Sequence, residues 1–202
     1  MNIKTIIYSN DIDAPAQNFC DEFLFGKYED DKKIEEFANK TDVITYEFEN
    51  IPFNTLNKIN KLKPVLPKPS VNRLIQHRVA EKDFVNKLNI RTTRYASIES
   101  KSDMEPLGDF LPGILKTTTM GYDGKGQYPI KKIEEINNLN IDFSKGYILE
   151  KLVKFKKEIS VIITRFGNNS YEIYEPIENT HEDQILKHSI IPAEITKKIF
   201  DS

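Results

Sequence analysis

A lysine followed by a glycine-rich loop is the part of this sequence best suited to hold an anion. Residues 116–127 read KTTTMGYDGKGQ, so Lys116 ends an apolar run and three glycines follow it. Glycines let backbone N–H groups approach a phosphate without a Cβ in the way, and Lys125 adds a cation between two of them. The pattern predicts a lid that closes over a triphosphate.

The loop does not match the two commonest nucleotide-binding motifs. Lys125 is followed by Gly126, where a P-loop requires Ser or Thr, and the G-x-G-x-x-G dinucleotide pattern is not present. A different nucleotide-binding fold is therefore implied. The local residues also leave open an ordinary glycine-rich hairpin turn, because short glycine motifs often arise by chance.

A second candidate segment carries two acids. Residues 147–158 read YILEKLVKFKKE, a predicted strand that runs into an extended stretch with Glu150 and Glu158. In a nucleotide site, such a stretch reads adenine with its backbone while a carboxylate accepts hydrogen bonds from the ribose hydroxyls. The alternative is a surface hairpin whose acids neighbour the basic cluster at 154–157.

The first third of the chain alternates between predicted strands and helices. In the first predicted helix, Ile34, Phe37 and Ala38 share one face behind an acidic first turn. Short strands alternating with helices favour a parallel sheet, so an α/β, Rossmann-like half domain is expected. The predicted strands and apolar runs lie at 5–8, 23–25 and 42–48, and the helices at 30–39 and 53–62.

Three prolines in residues 63–70 predict a domain boundary, because proline disfavours helix and restricts the residue before it. We therefore expect domains at 1–70 and 71–202. Ser70 is a candidate N-cap for a helix through Ile75. A further helix over 80–88 would place Phe84, Val85 and Leu88 on one face.

The rest of the chain has the pattern of an α+β domain. Strands are predicted at 113–116, 147–152, 159–165 and 171–174, with a helix over 131–139 between the first two.

Composition excludes several classes of function. The chain has 202 residues, of which 39% are hydrophobic, so it can bury a core. Its 29 Lys and Arg against 31 Asp and Glu give a net charge of -2, which disfavours a nucleic-acid partner. The single cysteine, Cys20, cannot close an intrachain disulfide, and the N-terminus has no signal-peptide core. A cytoplasmic protein with no membrane partner is expected.

Four further segments, read with the lid and the acidic segment, resemble one family. They are YEFENIP (46–52), QHR (76–78), Glu81-Lys82 and PIENTH (176–181). The chain resembles the N5-carboxyaminoimidazole ribonucleotide synthetases, which are ATP-grasp carboxylases of purine synthesis, over nearly its whole length. YEFEN together with GYDGKGQ distinguishes this family from other ATP-grasp enzymes such as biotin carboxylase.

The resemblance implies site residues and cofactors. By this resemblance, ATP and Mg2+ are the expected cofactors, and Lys116 and Lys125 are the expected catalytic cations. The expected fold is a partial pre-ATP-grasp domain followed by an incomplete ATP-grasp domain. Glu158 would hold the ribose, and no role carries over to His77 or His188. The ATP site would comprise Arg78, Lys116, Gly121, Tyr122, Asp123, Gly124, Lys125, Gly126, Gln127, Glu150, Lys151, Leu152, Val153, Glu158 and His181, and the substrate side Glu47, Asn50 and Asn179.

The family reaction joins bicarbonate to aminoimidazole ribonucleotide through carboxyphosphate. We expect the chain to be truncated at both ends relative to the family, so no metal ligand is assigned and little activity is expected from the chain alone. Met120 stands where a further glycine is common, which would stiffen the lid. A homodimer or a complementing fragment is the expected macromolecular partner.

Three alternatives to this function remain. Another ATP-grasp ligase would share the lid without YEFEN. A non-catalytic fragment would bind ATP without turnover. Nucleic-acid binding through the lysine clusters comes third because of the net charge.

Overall fold

A computed structural model describes residues 3–121, 126–183 and 185–200. The chain divides into two compact units. The first unit contains the residues up to Thr92 together with Thr118–Met120, and the second contains Thr93–Thr117 and the chain from Gly121 onward. No helix in the described ranges is long and apolar enough to cross a membrane.

The first unit has the predicted alternation of strands and helices. Its strands form two separate parallel pairs, β1 with β2 and β3 with β4. A 3-10 turn at Pro15–Phe19 connects the first two strands. The elements are β1 (Ile6–Ser9), β2 (Glu22–Phe25), α1 (Asp31–Asn39), β3 (Ile44–Thr45), α2 (Phe53–Ile59), β4 (Val65–Leu66), α3 (Pro69–Ile75) and α4 (Arg78–Lys87).

Helix α1 packs the face that its sequence predicts. Asp30 caps it by accepting a hydrogen bond from the Lys33 N–H at 3.1 Å. Ile34, Phe37 and Ala38 are all buried, and they form one core with residues of α2, β3 and β4. The regular apolar spacing therefore sets both the helix and its buried side.

Two expectations for the first unit were wrong in detail. The strand expected over 42–48 is confined to Ile44–Thr45. Ser70 does not cap α3, because Pro69 already occupies the first turn, where its missing N–H costs nothing. The helix expected over 80–88 is present as α4, although it buries none of its residues and Phe84 is 47% exposed.

Tyr8 packs against the core of the first unit, and folding raises the pKa of its hydroxyl. Burial, reinforced by nearby acids, raises its pKa to about 12, and its hydroxyl donates to the Lys27 carbonyl at 2.6 Å. In the unfolded chain, the hydroxyl of Tyr8 ionises near pH 10. Above that pH, ionisation stabilises the unfolded chain, whereas Tyr8 in the folded protein stays neutral. We expect the free energy of unfolding to fall by on the order of 2 kcal/mol between pH 10 and 12.

Urea unfolding of the wild type and Tyr8→Phe across that pH range measures this effect. The phenylalanine variant should lose this part of the pH dependence, and identical slopes for the two proteins would contradict the assignment.

The second unit is built mainly from antiparallel strands. Short 3-10 turns lie at Lys101–Met104, Gly108–Phe110, Ile133–Asn138 and Phe143–Lys145. The elements are β5 (Tyr95–Ile98), β6 (Gly113–Thr117), β7 (Gln127–Ile130), β8 (Tyr147–Lys151), β9 (Glu158–Ser160), β10 (Ile163–Arg165), β11 (Tyr171–Ile173), β12 (Ile177–Glu182), β13 (Ile185–Ile190) and α5 (Lys197–Phe200).

A four-stranded sheet holds the core of this unit. Its strand order is β5-β8-β6-β7, and all neighbours are antiparallel. Leu115 and Leu149 face each other across β6 and β8 and are fully buried. They belong to a cluster with Ile98, Met104, Phe110, Ile130, Ile136 and Tyr147. Alternate residues of the same strands point to the other face of the sheet.

The remaining strands form a three-stranded sheet, β13-β12-β9, and a pair, β10 with β11. The strand expected over 159–165 is thus divided into two. A helix was expected over 131–139, where the structure has a 3-10 turn at Ile133–Asn138. Strands β12 and β13 were not predicted.

Candidate functional site

Lys116 and Glu150 form an ion pair on the sheet face opposite the core. Lys116 lies across from Ile148, and Glu150 is two residues further along β8, a diagonal that long side chains can span. The Lys116 Nζ donates to Glu150 Oε2 at 2.8 Å. Glu150 is only 8% exposed, so its carboxylate is a buried counter-ion that fixes the ammonium.

The glycine-rich loop is carried by the hairpin of β6 and β7. Lys116 pairs with Gln127, and the Thr117 N–H donates to the Gly126 carbonyl at 3.0 Å. The two ends of the loop therefore lie on neighbouring strands of the sheet. The predicted lid residues Tyr122, Asp123, Gly124 and Lys125 lie outside the described residues.

Both ends of the loop have left-handed backbone. Gly121 has φ of 82° and Gly126 has φ of 70°, which glycine adopts without cost. Met120 has φ of 59°, a conformation that costs a residue with a Cβ roughly 1–2 kcal/mol. Met120, which stands where a further glycine is common, therefore has a backbone conformation that glycine would adopt more easily.

Gly126→Ala should weaken the base of the loop. The new Cβ would meet Thr117 Oγ1 at 3.0 Å and Cγ2 at 3.1 Å in a left-handed backbone. We expect a loss of about 1–2 kcal/mol in the free energy of unfolding, together with weaker ATP binding. Urea unfolding and calorimetric titration with ATP measure the two effects. Gly167→Ala is the control, since its Cβ would meet no atom within 4 Å, and equal losses would contradict the argument.

The segment proposed to read adenine is already hydrogen-bonded within the protein. The Lys151 N–H donates to the Arg94 carbonyl and the Leu152 N–H to the Pro112 carbonyl, both at 2.9 Å. Lys151 Nζ donates to the Asp109 carbonyl at 2.8 Å. Val153 follows and is 53% exposed. These bonds hold the chain extended beyond Glu150.

Glu158, Asn179 and His181 come together on the three-stranded sheet. Glu158 lies directly opposite Asn179, and its Oε2 is 3.4 Å from His181 Nδ1. Ser160 and Ser189, which sequence reasoning missed, hold the Asn179 amide from both sides at 2.9 Å. Three residues named for nucleotide or substrate binding therefore share one polar surface.

In the first unit, α3 holds the segment that contains YEFENIP. The Gln76 amide donates to the carbonyls of Glu49 at 2.6 Å and Ile51 at 2.8 Å. Asn72, one helical turn earlier, donates to the same Ile51 carbonyl at 3.0 Å. The predicted substrate residues Glu47 and Asn50 lie in this held loop. Asn72 and Gln76 are four residues apart, so they lie on one face of α3. This spacing was the signal that could have predicted that both hold the same loop.

Arg78 begins α4 and binds the chain that leads into the lid. Its N–H donates to the Thr118 carbonyl at 2.9 Å, and its guanidinium donates to the Met120 carbonyl at 2.7 Å. His77, to which no family role carries over, caps the helix, because its Nδ1 accepts from the Ala80 N–H. His188 lies on β13 opposite Thr180.

No group of three or more His, Cys, Asp or Glu side chains within residues 3–121, 126–183 and 185–200 could hold a metal ion. The described residues therefore do not fit a Mg2+ site by themselves.

The fold and these sites define the class of protein. The chain belongs to the ATP-grasp family: residues 83–202 match the model of the ATP-grasp domain, and residues 1–76 match that of the ribonucleotide synthetase preATP-grasp domain.

Its relatives confirm the resemblance read from the sequence. The N5-carboxyaminoimidazole ribonucleotide synthase of Brucella melitensis biotype 1 is 34% identical over 198 residues, which cover 96% of this chain and 55% of the relative. That of Staphylococcus aureus strain COL is 32% identical over 200 residues, 98% of this chain and 54% of the relative.

A solved structure agrees with both relatives. The N5-carboxyaminoimidazole synthetase of Staphylococcus aureus complexed with ADP has a TM-score of 0.89 and 31% identity, covering 98% of this chain and 54% of that one. The chain thus spans about half the length of the proteins it matches.

Proposed function

We propose that this chain provides the ATP-binding part of an enzyme that carboxylates 5-aminoimidazole ribonucleotide with bicarbonate. The observation that carries the proposal is the Lys116–Glu150 pair at the base of a glycine-rich loop, in a chain of the ATP-grasp family. The product is N5-carboxyaminoimidazole ribonucleotide. The curated relatives described above bear the name of that activity.

The proposed reaction has two steps. An oxygen of bicarbonate attacks the γ-phosphorus of ATP, so ADP leaves and carboxyphosphate forms. The amine of the ribonucleotide then attacks the carboxyl carbon, phosphate leaves, and the amine loses a proton. Neither step needs a protein nucleophile, because phosphoryl transfer depends mainly on positioning and charge stabilisation.

Lys116 supplies that charge in our proposal. Its ammonium is held by Glu150 at 2.8 Å, so it needs little rearrangement to meet a phosphate oxygen. The loop that follows would exclude water, which protects a hydrolysable carboxyphosphate. Lys125 and Arg78 remain predicted phosphate ligands.

Two other surfaces complete the proposed assignment. Glu158 would accept hydrogen bonds from the ribose hydroxyls, with His181 beside it. Glu47, Asn50 and Asn179 are the residues proposed to bind the substrate. The Lys151 and Leu152 amides are engaged within the protein, and the Lys151 carbonyl accepts from Thr93 Oγ1 at 2.6 Å. Adenine recognition would therefore depend on the other backbone groups of the 150–153 segment. We further propose the domain division at 1–70 and 71–202.

The setting of the reaction is part of the same proposal. A cytoplasmic location is supported by the free thiol of Cys20. Association with a second polypeptide, either another copy or a complementing segment, is part of the same proposal.

Nucleotide binding and turnover test the proposal separately. Calorimetric titration should detect ATP binding to the chain alone, with no comparable heat from CTP. Bicarbonate-dependent ADP release with aminoimidazole ribonucleotide should stay near background, because the chain spans about half of the relatives that carry the activity. No binding of ATP would refute the proposed function. Robust turnover would refute the expectation of low activity.

A further inference from the structure

The hydroxyl of Thr93 makes a contact in the second unit that has no role in the reaction as described so far. Thr93 lies two residues before β5, and its Oγ1 donates to the Lys151 carbonyl at 2.6 Å. Because Lys151 ends β8, this bond joins two stretches that are 58 residues apart in the sequence. The distance is at the short end of the range for a bond between a hydroxyl and a carbonyl. Thr93 therefore fixes the direction of a carbonyl inside the segment proposed to read adenine.

The peptide group that joins Lys151 to Leu152 is held at both of its ends. Its oxygen accepts from Thr93, and its N–H, that of Leu152, donates to the Pro112 carbonyl at 2.9 Å. The Lys151 N–H donates to the carbonyl of Arg94, the residue after Thr93, also at 2.9 Å. Of these three bonds, only the one from Thr93 is made by a side chain. A single substitution can therefore remove it while the backbone partners stay in place.

The backbone groups that follow this peptide have the pattern that adenine requires. Within residues 3–121, 126–183 and 185–200, no hydrogen bond ends at the Leu152 carbonyl or at either backbone group of Val153. Val153 is also 53% exposed, so its N–H donor and its carbonyl acceptor can meet a ligand. Adenine presents an amine donor next to the acceptor N1, and a 6-oxopurine presents the reverse. The direction of the Val153 groups therefore decides which base fits.

A second anchor of the same segment is weaker. Lys151 Nζ donates to the Asp109 carbonyl at 2.8 Å, and the Asp109 carboxylate accepts from the Arg94 guanidinium at 2.7 Å. The side chains of Arg94 and Asp109 are 58% and 62% exposed, and an ion pair so open to water contributes little. Thr93 is only half-exposed, so its bond is better shielded from competing water. We therefore expect the position of the segment to depend more on Thr93.

We propose that Thr93 is a positioning residue that sets the preference of the nucleotide site for adenine over a 6-oxopurine. Its hydroxyl orients the peptide group before Val153, so it acts through the backbone of Lys151 and is not itself a ligand. When the hydroxyl is removed, that peptide can rotate, and the donor and acceptor of Val153 lose their fixed direction. A loosened donor and acceptor discriminate less between the two kinds of base. This inference rests on the proposed function, because it concerns the same ATP site.

The test compares ATP with ITP, which carries the same triphosphate on a 6-oxopurine base. Calorimetric titration of the full chain should show that the wild type prefers ATP at least about tenfold. Thr93→Val should weaken ATP binding roughly three- to tenfold, the usual effect of one uncharged hydrogen bond, and should reduce the preference by a similar factor. Thr93→Ser keeps the hydroxyl and should restore both. Melting curves check that each variant folds, and Thr93→Ala replaces the valine variant if that one does not.

Thr41→Val is the matched control. The Thr41 hydroxyl donates to the Ala38 carbonyl at 3.1 Å in the first unit, so this variant loses the same kind of bond. Its affinity for ATP and its preference over ITP should both equal those of the wild type.

The other outcomes count against the role of Thr93. Wild-type affinity and preference in Thr93→Val overturn it, and so does an equal loss for ATP and ITP, which is what general loosening of the site would produce. Failure of Thr93→Ser to restore the preference assigns the effect to the methyl group instead. Equal binding of ATP and ITP by the wild type, or an unaltered Thr93→Val in a chain that binds ATP, overturns only this inference. A wild type that binds neither nucleotide overturns the proposed function together with it.

Discussion

Lys116→Met is expected to weaken ATP binding by roughly 100-fold or more. Lys116 is the cation at the base of the glycine-rich loop, and its ammonium is already oriented by Glu150 at 2.8 Å. A hydrogen bond between charged groups contributes about 1.5–3 kcal/mol, which is roughly 10- to 150-fold in affinity, and a donor that is already oriented is expected near the upper end. Methionine keeps the length of the side chain, so the loss reports on charge. Calorimetric titration with ATP measures it.

The same substitution should also destabilise the protein, for a different reason. Glu150 is 8% exposed, and in the variant it loses its ammonium partner. Removing one member of a buried ion pair costs up to about 3–5 kcal/mol, and the partial exposure of Lys116 places our expectation near 3 kcal/mol. Urea unfolding measures this second effect.

A double variant separates the two roles. Lys116→Met with Glu150→Gln removes both charges, so it should recover most of the lost stability. It should not recover ATP binding, since the cation is still missing. Wild-type affinity in the single variant, or recovered affinity in the double variant, would show that Lys116 does not contact the nucleotide. Glu150→Gln alone should bind ATP more weakly than wild type, because Lys116 is then less well oriented.

The spacing of apolar residues along the sequence predicted the helices and strands whose formation depends mainly on nearby residues. The apolar spacing of Ile34, Phe37 and Ala38 specifies both the existence of α1 and its buried side, because a helix repeats every few residues. The same holds for the core strands around Leu115 and Leu149, whose apolar runs end at turn residues.

Non-local pairing explains the strands that were missed. Strand β12 reads IENTHE, which has one apolar residue and no strong β preference. It is a strand because β9 and β13 hydrogen-bond to its two edges. Conversely, IEEINN at 133–138 has helical spacing, yet it forms only a 3-10 turn, in part because asparagine is a weak helix former.

In the candidate site, too, the sequence predicted individual residues but not the contacts that depend on strand pairing. The sequence named Lys116 and Glu150 separately, one for phosphate and one for the adenine segment. Their ion pair depends on the register of β6 against β8 across 34 residues of sequence, which no local pattern reports. Ser160 and Ser189 were missed for the same reason, since their link to Asn179 exists only once three strands are aligned.

Leu149→Ala should be the most damaging apolar truncation near the site. Leu149 is fully buried on the central strand β8 and lies between Leu115 on β6 and Ala96 on β5. A cavity in such a core costs about 3 kcal/mol, so urea unfolding should show a loss of that size. Leu152→Ala, at a position 44% exposed just beyond the strand, should cost less than about 1 kcal/mol.

Leu149→Ala should also weaken ATP binding. Leu149 precedes Glu150 in the chain, and its partner Leu115 precedes Lys116, so both charged groups are positioned by backbone that this core contact holds. We expect ATP affinity to fall several-fold in Leu149→Ala under conditions where the variant remains folded. Unchanged affinity in a destabilised but folded Leu149→Ala would show that hydrogen bonds of the sheet alone maintain the Lys116–Glu150 geometry.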